Sequence, residues 1–453
     1  MRDFLELLER KGLLEKVSIP LSTDREISSV LLAAEEQAFL FQRVKDFEMR
    51  VAGNLYCTKA NLALGLGLSA SSTNYDLSTL IGKAVRYPSE SIGSVSGFQE
   101  SEFDHNEEAD LSKLPILKHF DKEAGRYITA GIVVAKSPES GEENLSVHRM
   151  LVLSKNKVVA RIVPRHLARI ASEMSPKSIP VSVVIGPPPS VFLSAALQIE
   201  YGTSEYRVAS KLSGGKLNLM KCEHNDLAVP IDSELVLEGE LMWNDLVDEG
   251  PFVDLTRTYD EVRKQPTITF RRMHFRNDST YQVVVGSSRE HSIFMGFPQE
   301  LKILDSLSRA ISKIRGVNLT QGGNGYFYCI VSLDKVNDGD GKTAIMSCFA
   351  ASHPLKLVIA VDSDIDPFDL NEVEWALATR FQADRGLIVI NGARGSSLDP
   401  SSSKSAVTSK LGIDATLPVN QDRAKFKRAT ISTSDLAKSI VEEIRSKRKS
   451  ILG

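Results

Sequence analysis

The 453-residue sequence predicts an α/β protein in three parts. Helical and strand periodicities alternate through the first part, closely spaced strands fill the second, and alternation returns in the third. The divisions fall at 1–105, 106–300 and 301–453. With 42% hydrophobic and 25% charged residues, the composition is that of an ordinary globular protein.

The opening residues read as a helix, with Phe4, Leu7 and Leu8 on one face and Gly12 ending the pattern. A second helix is expected from Thr23, where Thr23-Asp24-Arg25-Glu26 matches a capping box ahead of Ile27, Val30, Leu31 and Ala34. Phe47, Met49 and Val51 alternate as a strand, and helical segments follow near 59–68 and 75–86. The polar stretch 89–110 reads as a linker. In the middle part, 127–134, 144–153, 158–163, 179–185, 217–221, 235–241 and 267–275 favour strand. Short turns separate them, which suggests a barrel or a strongly curled sheet. Helices are expected at 165–173, with Pro164 at the first turn, and at 205–212. In the last part, helices at 298–314, 342–351 and 370–380 alternate with strands at 326–333, 357–361 and 387–390. That is the rhythm of a sheet with crossover helices. A final helix, 434–449, ends in Arg445-Ser446-Lys447-Arg448-Lys449, read as a solvated helix end favoured by the helix dipole.

Bulk properties narrow the function. A formal net charge of −3 gives no reason to expect a nucleic-acid partner. No apolar run reaches the roughly 18 residues a bilayer demands, so no membrane role is expected. Met1-Arg2-Asp3-Phe4 is acidic where a secretory leader would be apolar, and a cytoplasmic location is expected. Cys57, Cys222, Cys329 and Cys348 form no C-x-x-C pair, which argues against structural zinc and a disulfide framework.

Four polar clusters stand out. Asn144-Leu145-Ser146-Val147-His148-Arg149 crowds an amide, a hydroxyl, an imidazole and a guanidinium at the head of a strand. Taken alone it also reads as a solvated strand end beside a hairpin. In Pro164-Arg165-His166 a lone His is by default structural. Lys221-Cys222-Glu223-His224-Asn225-Asp226 is a polar knot that also reads as a capping-rich turn. In Asp248-Glu249-Gly250-Pro251-Phe252-Val253-Asp254, carboxylates flank a Gly-Pro turn. Asn144, His166 and Glu223 together offer an amide oxygen, an imidazole and a carboxylate, a set suited to Mn²⁺ or Mg²⁺. Three protein ligands leave positions open for a phosphate oxygen or water. Arg149 between Glu249 and Asp254 can hold one acid ionised and leave the other for proton transfer. Asn144 and Arg149 would face opposite sides of a regular strand. The preferred reading is that Asn144 precedes the strand proper; the alternative is a bulge.

In combination these blocks resemble the UbiD family of prenylated-FMN-dependent decarboxylases. Leu114-Pro115-Ile116, Gly125-Arg126-Tyr127-Ile128-Thr129, Glu372-Val373-Glu374-Trp375-Ala376 and Gly395-Ser396-Ser397-Leu398-Asp399-Pro400 extend the resemblance over nearly the whole chain. It implies an α/β N-terminal domain, a flavin-reductase-like split β-barrel and an α/β C-terminal domain. It implies Asn144, His166 and Glu223 as metal ligands, for Mn²⁺ with K⁺ nearby. Ser146, Val147, His148, Arg149, Arg161, Ile162, Val163, Arg165 and His166 would contact the cofactor, with Lys404 or Lys410 as a further contact. Arg149, Glu249 and Asp254 would form the catalytic trio, with Asp254 transferring the proton. The cofactor supplies an electron sink, a flavin prenyltransferase supplies the cofactor, and members assemble as homodimers or hexamers of dimers. Substrates are unsaturated or aromatic carboxylic acids. The C-terminal blocks are similar to an archaeal branch, which points to trans-anhydromevalonate 5-phosphate giving isopentenyl phosphate in an archaeal mevalonate pathway. A hydroxybenzoate-type acid of quinone biosynthesis and a non-catalytic assembly subunit are the alternatives. Arg257 stands where relatives often have Gly, and Gly286-Ser287-Ser288 replaces a more Gly-rich loop.

Overall fold

The strands of the middle part close into a six-stranded antiparallel barrel. The computed structural model describes residues 1–453 except 176, 177, 404, 430 and 453, and gives backbone alone for 445–452. The basic side chains of 445–449 and Lys404 therefore lie outside the described residues. The barrel strands are β1 (Tyr127–Lys136), β2 (Glu143–Val152), β3 (Lys157–Ala160), β4 (Ile179–Ile185), β5 (Leu235–Glu249) and β6 (Arg263–Phe275). Their order is β5-β4-β1-β2-β3-β6, and β6 returns to β5. Alternate residues feed two buried clusters, as the two-residue strand period requires. Val133, Ala135, Val183, Leu235 and Leu237 pack with Ile268 and Phe270. Ile132, Val134, Val184 and Val236 pack instead with residues of the helices Pro189–Ala196 and Glu205–Leu212.

The N-terminal sheet pairs Leu14–Val17, Ala38–Phe41 and Arg50–Gly53 with a fourth strand, Thr280–Val283, from far along the chain. The stretch read as a linker is partly structured: Ser94–Ser96 pairs with Asn218–Lys221, and His105–Glu108 adds to β6. The C-terminal sheet runs in the order Ile314–Leu319, Tyr328–Leu333, Leu357–Asp362, Val407–Asp414, Leu387–Arg394. Its parallel pairs are spanned by crossover helices, Asp340–Ala351 and Leu370–Arg380 among them.

Three local expectations are corrected. The second helix spans Glu26–Ala33, and Arg25, at φ 68, takes its N-cap with no side-chain bond. Thr23 caps nothing there; the Glu26 carboxylate instead accepts the Ser22 N–H at 2.6 Å. The helix expected from Pro298 spans Arg289–Ala310, with Ser288 Oγ accepting the His291 N–H and Pro298 inside it. Asn144 does not precede its strand. It lies within β2, paired with Ala135, and the register shift falls on β1 between Ile128 and Gly131. The hairpin closes tightly enough, through Ser137 N–H to Glu142 O at 2.9 Å, to extend pairing past Asn144.

Candidate active site

At one end of the barrel β5 stops at Glu249 and the chain reverses through Gly250. Gly250 takes φ +107, a conformation L side chains rarely adopt, so the reversal needs glycine. The short strand Phe252–Val253 follows, pairs with Tyr259–Asp260, and carries Asp254 back toward β2. A second close approach seats this turn: a Cβ on Gly286 would meet Val253 O at 2.2 Å.

Arg149 on β2 is the centre of what results. Its Nε and Nη2 grip Glu249 Oε1 and Oε2 at 3.0 and 2.9 Å, a two-pronged pairing. Nη1 donates to Asp254 Oδ2 at 2.5 Å, and Nη2 also donates to Asp260 Oδ2 at 2.9 Å. The guanidinium lies 4.6 Å from the centre of the Phe252 ring, whose other neighbours include Tyr127. Glu249 is fully buried, while Asp254 keeps 17% of its side chain exposed. The structure thus brings Arg149 into direct contact with both Glu249 and Asp254, although it precedes them by 100 and 105 residues in the chain.

Two members of this cluster carried no signal in the sequence. Asp260 bonds both Arg149 and Arg263, the latter at 2.5 Å. Burial opposes its ionisation, but the hydrogen bond from Arg263 and the charge of Arg149 outweigh it and hold its pKa below the usual Asp value. His291 is half-buried within electrostatic reach of Asp254 and Arg149. Its Nδ1 accepts the Ser287 N–H at 3.2 Å, which leaves the proton of the neutral ring on Nε2. Burial lowers its pKa, partly countered by Asp254.

The face of β2 opposite Arg149 carries Asn144, Ser146 and His148. His148 Nδ1 contacts the Arg161 carbonyl at 2.9 Å, and a carbonyl can only accept, so Nδ1 holds the proton. Nε2 then accepts from Ser146 Oγ at 2.8 Å. Burial pushes the His148 pKa down to about 4, so the ring is neutral near pH 7. Ile162 is anchored through its N–H to Gln265 Oε1 at 2.8 Å. Arg161 beside it is half-buried and forms no side-chain ion pair among the described residues. Burial and the neighbouring cations Arg263 and Arg149 lower its pKa. Val147 packs at the edge of the core, Val163 is half-buried and Arg165 is exposed. Lys410 is buried and donates to the carbonyls of His353 and Leu355 at 2.8 and 2.7 Å.

The expected metal ligands are only partly gathered. Asn144 and His166 line one small cavity, with about 10 Å³ free to a water-sized group, room for a single ion or water. Buried Asn144 donates through Nδ2 to both oxygens of Glu205, and its Oδ1 has no partner. Burial lowers the pKa of His166, helped by Arg165 and Arg169, which favours the neutral, ligand-competent imidazole. Glu223 faces elsewhere, 3.4 Å from Arg272 Nε. Its loop is held by Glu238, which accepts the N–H groups of Glu223 and His224 at 2.8 and 2.9 Å. Among the described residues no three His, Cys, Asp or Glu side chains are grouped to hold a metal. An unpartnered amide oxygen beside a neutral imidazole nevertheless fits a hard divalent cation.

Known proteins match the chain over nearly its whole length. Three domains of 3-octaprenyl-4-hydroxybenzoate carboxy-lyase match in succession: the N-terminal domain over residues 5–81, the Rift-related domain over 93–288 and the C-terminal domain over 292–415. The chain is 36% identical over 436 residues to anhydromevalonate phosphate decarboxylase of Methanothermobacter thermautotrophicus, covering 95% of this chain and 100% of that protein. It is 37% identical over 433 residues to the Methanosarcina mazei enzyme of the same name, covering 95% and 99%. Its structure superposes on the UbiD-class enzyme HmfF from Pelotomaculum thermopropionicum, solved in complex with FMN. The TM-score is 0.91 at 32% identity, over 96% of this chain and 98% of that one. Identity of this extent in sequence, together with the same three-part fold, means that the chain belongs to the UbiD family of carboxy-lyases.

Proposed function

We propose that the protein is a prenylated-FMN-dependent, non-oxidative decarboxylase of an α,β-unsaturated acid. The substrate we assign is trans-anhydromevalonate 5-phosphate, giving isopentenyl phosphate and CO₂. The observation that carries the reading is Arg149 bound at once to buried Glu249 and to the more exposed Asp254.

When bound, prenylated FMN supplies an electron sink for the charge released as CO₂ leaves. The remaining steps belong to the chain. Decarboxylation breaks the bond to the carboxylate carbon, and the carbon left behind needs one proton. Asp254 in its acid form delivers that proton and becomes a carboxylate, and its partial exposure lets it reload from solvent. Arg149, held in a fixed plane by Glu249, orients Asp254 and stabilises the carboxylate that forms. The cluster sets three carboxylates, Glu249, Asp254 and Asp260, against two guanidinium groups, Arg149 and Arg263. By these direct pairs the carboxylates exceed the cations by one, and uptake of one proton evens them. Arg161 offers its unpaired charge to an anionic group of flavin or substrate.

Asn144 and His166 would hold a Mn²⁺ ion, with Glu223 as the third ligand the family resemblance implies and K⁺ nearby. A flavin prenyltransferase would supply the cofactor to a cytoplasmic homo-oligomer. Among the described residues no helix is long and apolar enough to cross a membrane. The test is CO₂ release by anaerobically prepared, cofactor-loaded protein from anhydromevalonate phosphate set against 4-hydroxybenzoate. Release from the first compound is expected. Release from the second alone would replace the substrate, and a colourless, metal-free protein that releases none would overturn the enzyme reading.

A further inference from the structure

We infer that Glu205 is a positioning residue, one that fixes the Asn144 amide so that Oδ1, and not Nδ2, is the atom left free beside His166. The inference rests on the reading that Asn144 and His166 hold a divalent cation.

The chemistry of the contact dictates the orientation. An Asn amide has two ends of similar size and opposite polarity, and nothing in its shape says which end faces a ligand. Burial pushes the Glu205 carboxyl pKa up to about 8, yet its Oε2 accepts the Leu145 N–H at 2.8 Å and is a bare acceptor in either protonation state. That oxygen lies 3.2 Å from one end of the Asn144 amide, with Oε1 at 3.1 Å, so that end is the NH₂ group. Oδ1 is thereby turned away from Glu205, buried and without a partner. A buried, unsatisfied acceptor is costly unless a ligand takes it up. Flipped the other way, the amide would aim two N–H dipoles at the cation.

Glu205 also secures the backbone at the same point. Its Oε2 accepts the Leu145 N–H at 2.8 Å, so one carboxylate restrains both the side chain of Asn144 and the peptide that follows it. The carboxylate is itself immobile. Glu205 is 2% exposed and opens the helix Glu205–Leu212, whose N-cap Ser204 accepts the Tyr206 N–H at 3.3 Å. The buried Tyr206 hydroxyl then ties that helix to Ala228 O at 2.8 Å. Every partner of Glu205 named here belongs to Asn144 or its neighbour, so a purely structural carboxylate would be expected to alter stability but not the choice of amide atom. Outer groups that orient a metal ligand typically change metal affinity 10- to 100-fold when replaced.

The test is Mn²⁺ binding to the cofactor-free full chain, read by electron paramagnetic resonance, with FMN affinity by fluorescence quenching in the presence and absence of Mn²⁺. Glu205→Gln is expected to weaken Mn²⁺ binding by about 10- to 100-fold, because the Gln NH₂ repels Asn144 Nδ2 and the amide turns over. The Mn²⁺-dependent part of FMN affinity falls with it, and Mn²⁺-independent FMN binding stays. The double variant Asn144→Asp/Glu205→Gln exchanges amide and carboxylate, keeps the hydrogen bond between them and presents a carboxylate oxygen to the ion. It is expected to return Mn²⁺ affinity to within about tenfold of wild type. Should Glu205→Gln alone fail to fold, the double variant carries the test. Wild-type Mn²⁺ affinity in Glu205→Gln, or no Mn²⁺ binding by a folded double variant, overturns the inference alone. A wild-type protein that binds no Mn²⁺ overturns the metal reading and the inference with it.

Discussion

Arg149 at the end of the barrel, largely buried, and Arg380 beneath the C-terminal sheet, fully buried, are both arginines gripped by carboxylates. Arg380 donates to Asp362 at 2.9 Å and to both oxygens of Asp364 at 2.8 and 2.7 Å. Asp362 also accepts the Leu417 N–H and is paired with Arg423. There, two carboxylates face two guanidinium groups and the charges cancel. Around Arg149, three carboxylates face two directly paired guanidinium groups, with Arg161, which has no ion pair among the described residues, and half-buried His291 beside them. On the function proposed above, the same ion-pair chemistry makes a strut where the direct pairs balance and a proton-handling site where they do not.

The comparison is broken most decisively at Asp254. Asp254→Asn should lower CO₂ release about 10²- to 10⁴-fold, with thermal melting and cofactor retention unchanged. Arg380→Ala should do the reverse, costing about 3–5 kcal/mol of stability in a denaturant titration because a buried carboxylate loses its partner. Molecules that remain folded should keep their turnover.

Acid separates the two regions as well. His148 titrates near 6.5 when unfolded and at about 4 when folded, so the unfolded chain takes up the proton first. Stability should fall as pH drops from 6.5 toward 4, by on the order of 3 kcal/mol, and level off below. His148→Gln should flatten that slope in unfolding curves taken between pH 7 and 4.5, leaving the similar contribution of buried His119. At the strut, the hydrogen bond from Arg380 holds the Asp364 pKa below the ordinary Asp value. Its contribution is present above about pH 3.8 and is lost only below it.

Smaller effects refine the contrast. Asp260→Asn removes the surplus negative charge, so kcat should fall about tenfold, the worth of one partly buried charge contact, and its pH profile should move to lower pH. Arg257→Gly should change stability by less than about 1 kcal/mol in either direction. Arg257 sits at φ 59, where glycine is relaxed, but its side chain bonds Glu35 at 2.7 Å and Ser287 at 3.4 Å.

The three-part alternation of helix and strand was legible because hydrophobic period survives in local sequence. Boundaries set by particular side chains were not. Pro298 looks like a helix start, yet Ser288 supplies the cap ten residues earlier. Thr23 resembles a cap, yet the chain enters its helix through a left-handed Arg25. Asn144, Arg149, Glu249 and Asp254 could be singled out because each lies in a dense polar block. Asp260, His291 and Glu205 could not, since each is unremarkable among its neighbours and matters only through contacts made across the fold. Strand Thr280–Val283 was invisible for the same reason, because its partner lies more than two hundred residues away.

The helix Arg289–Ala310 begins beside the site, where Glu290 accepts the Asn54 and Tyr56 N–H groups at 3.1 and 2.7 Å. It ends with Ile303 and Leu307 in the C-terminal core. Twenty-two residues make a rod about 33 Å long. Treated as a lever, it converts a tilt of about 5° at Ala310 into about 2.5 Å of travel at His291, roughly 28 Å away. A displacement at the C-terminal end of this helix would thus be felt at His291, beside Asp254 and Arg149.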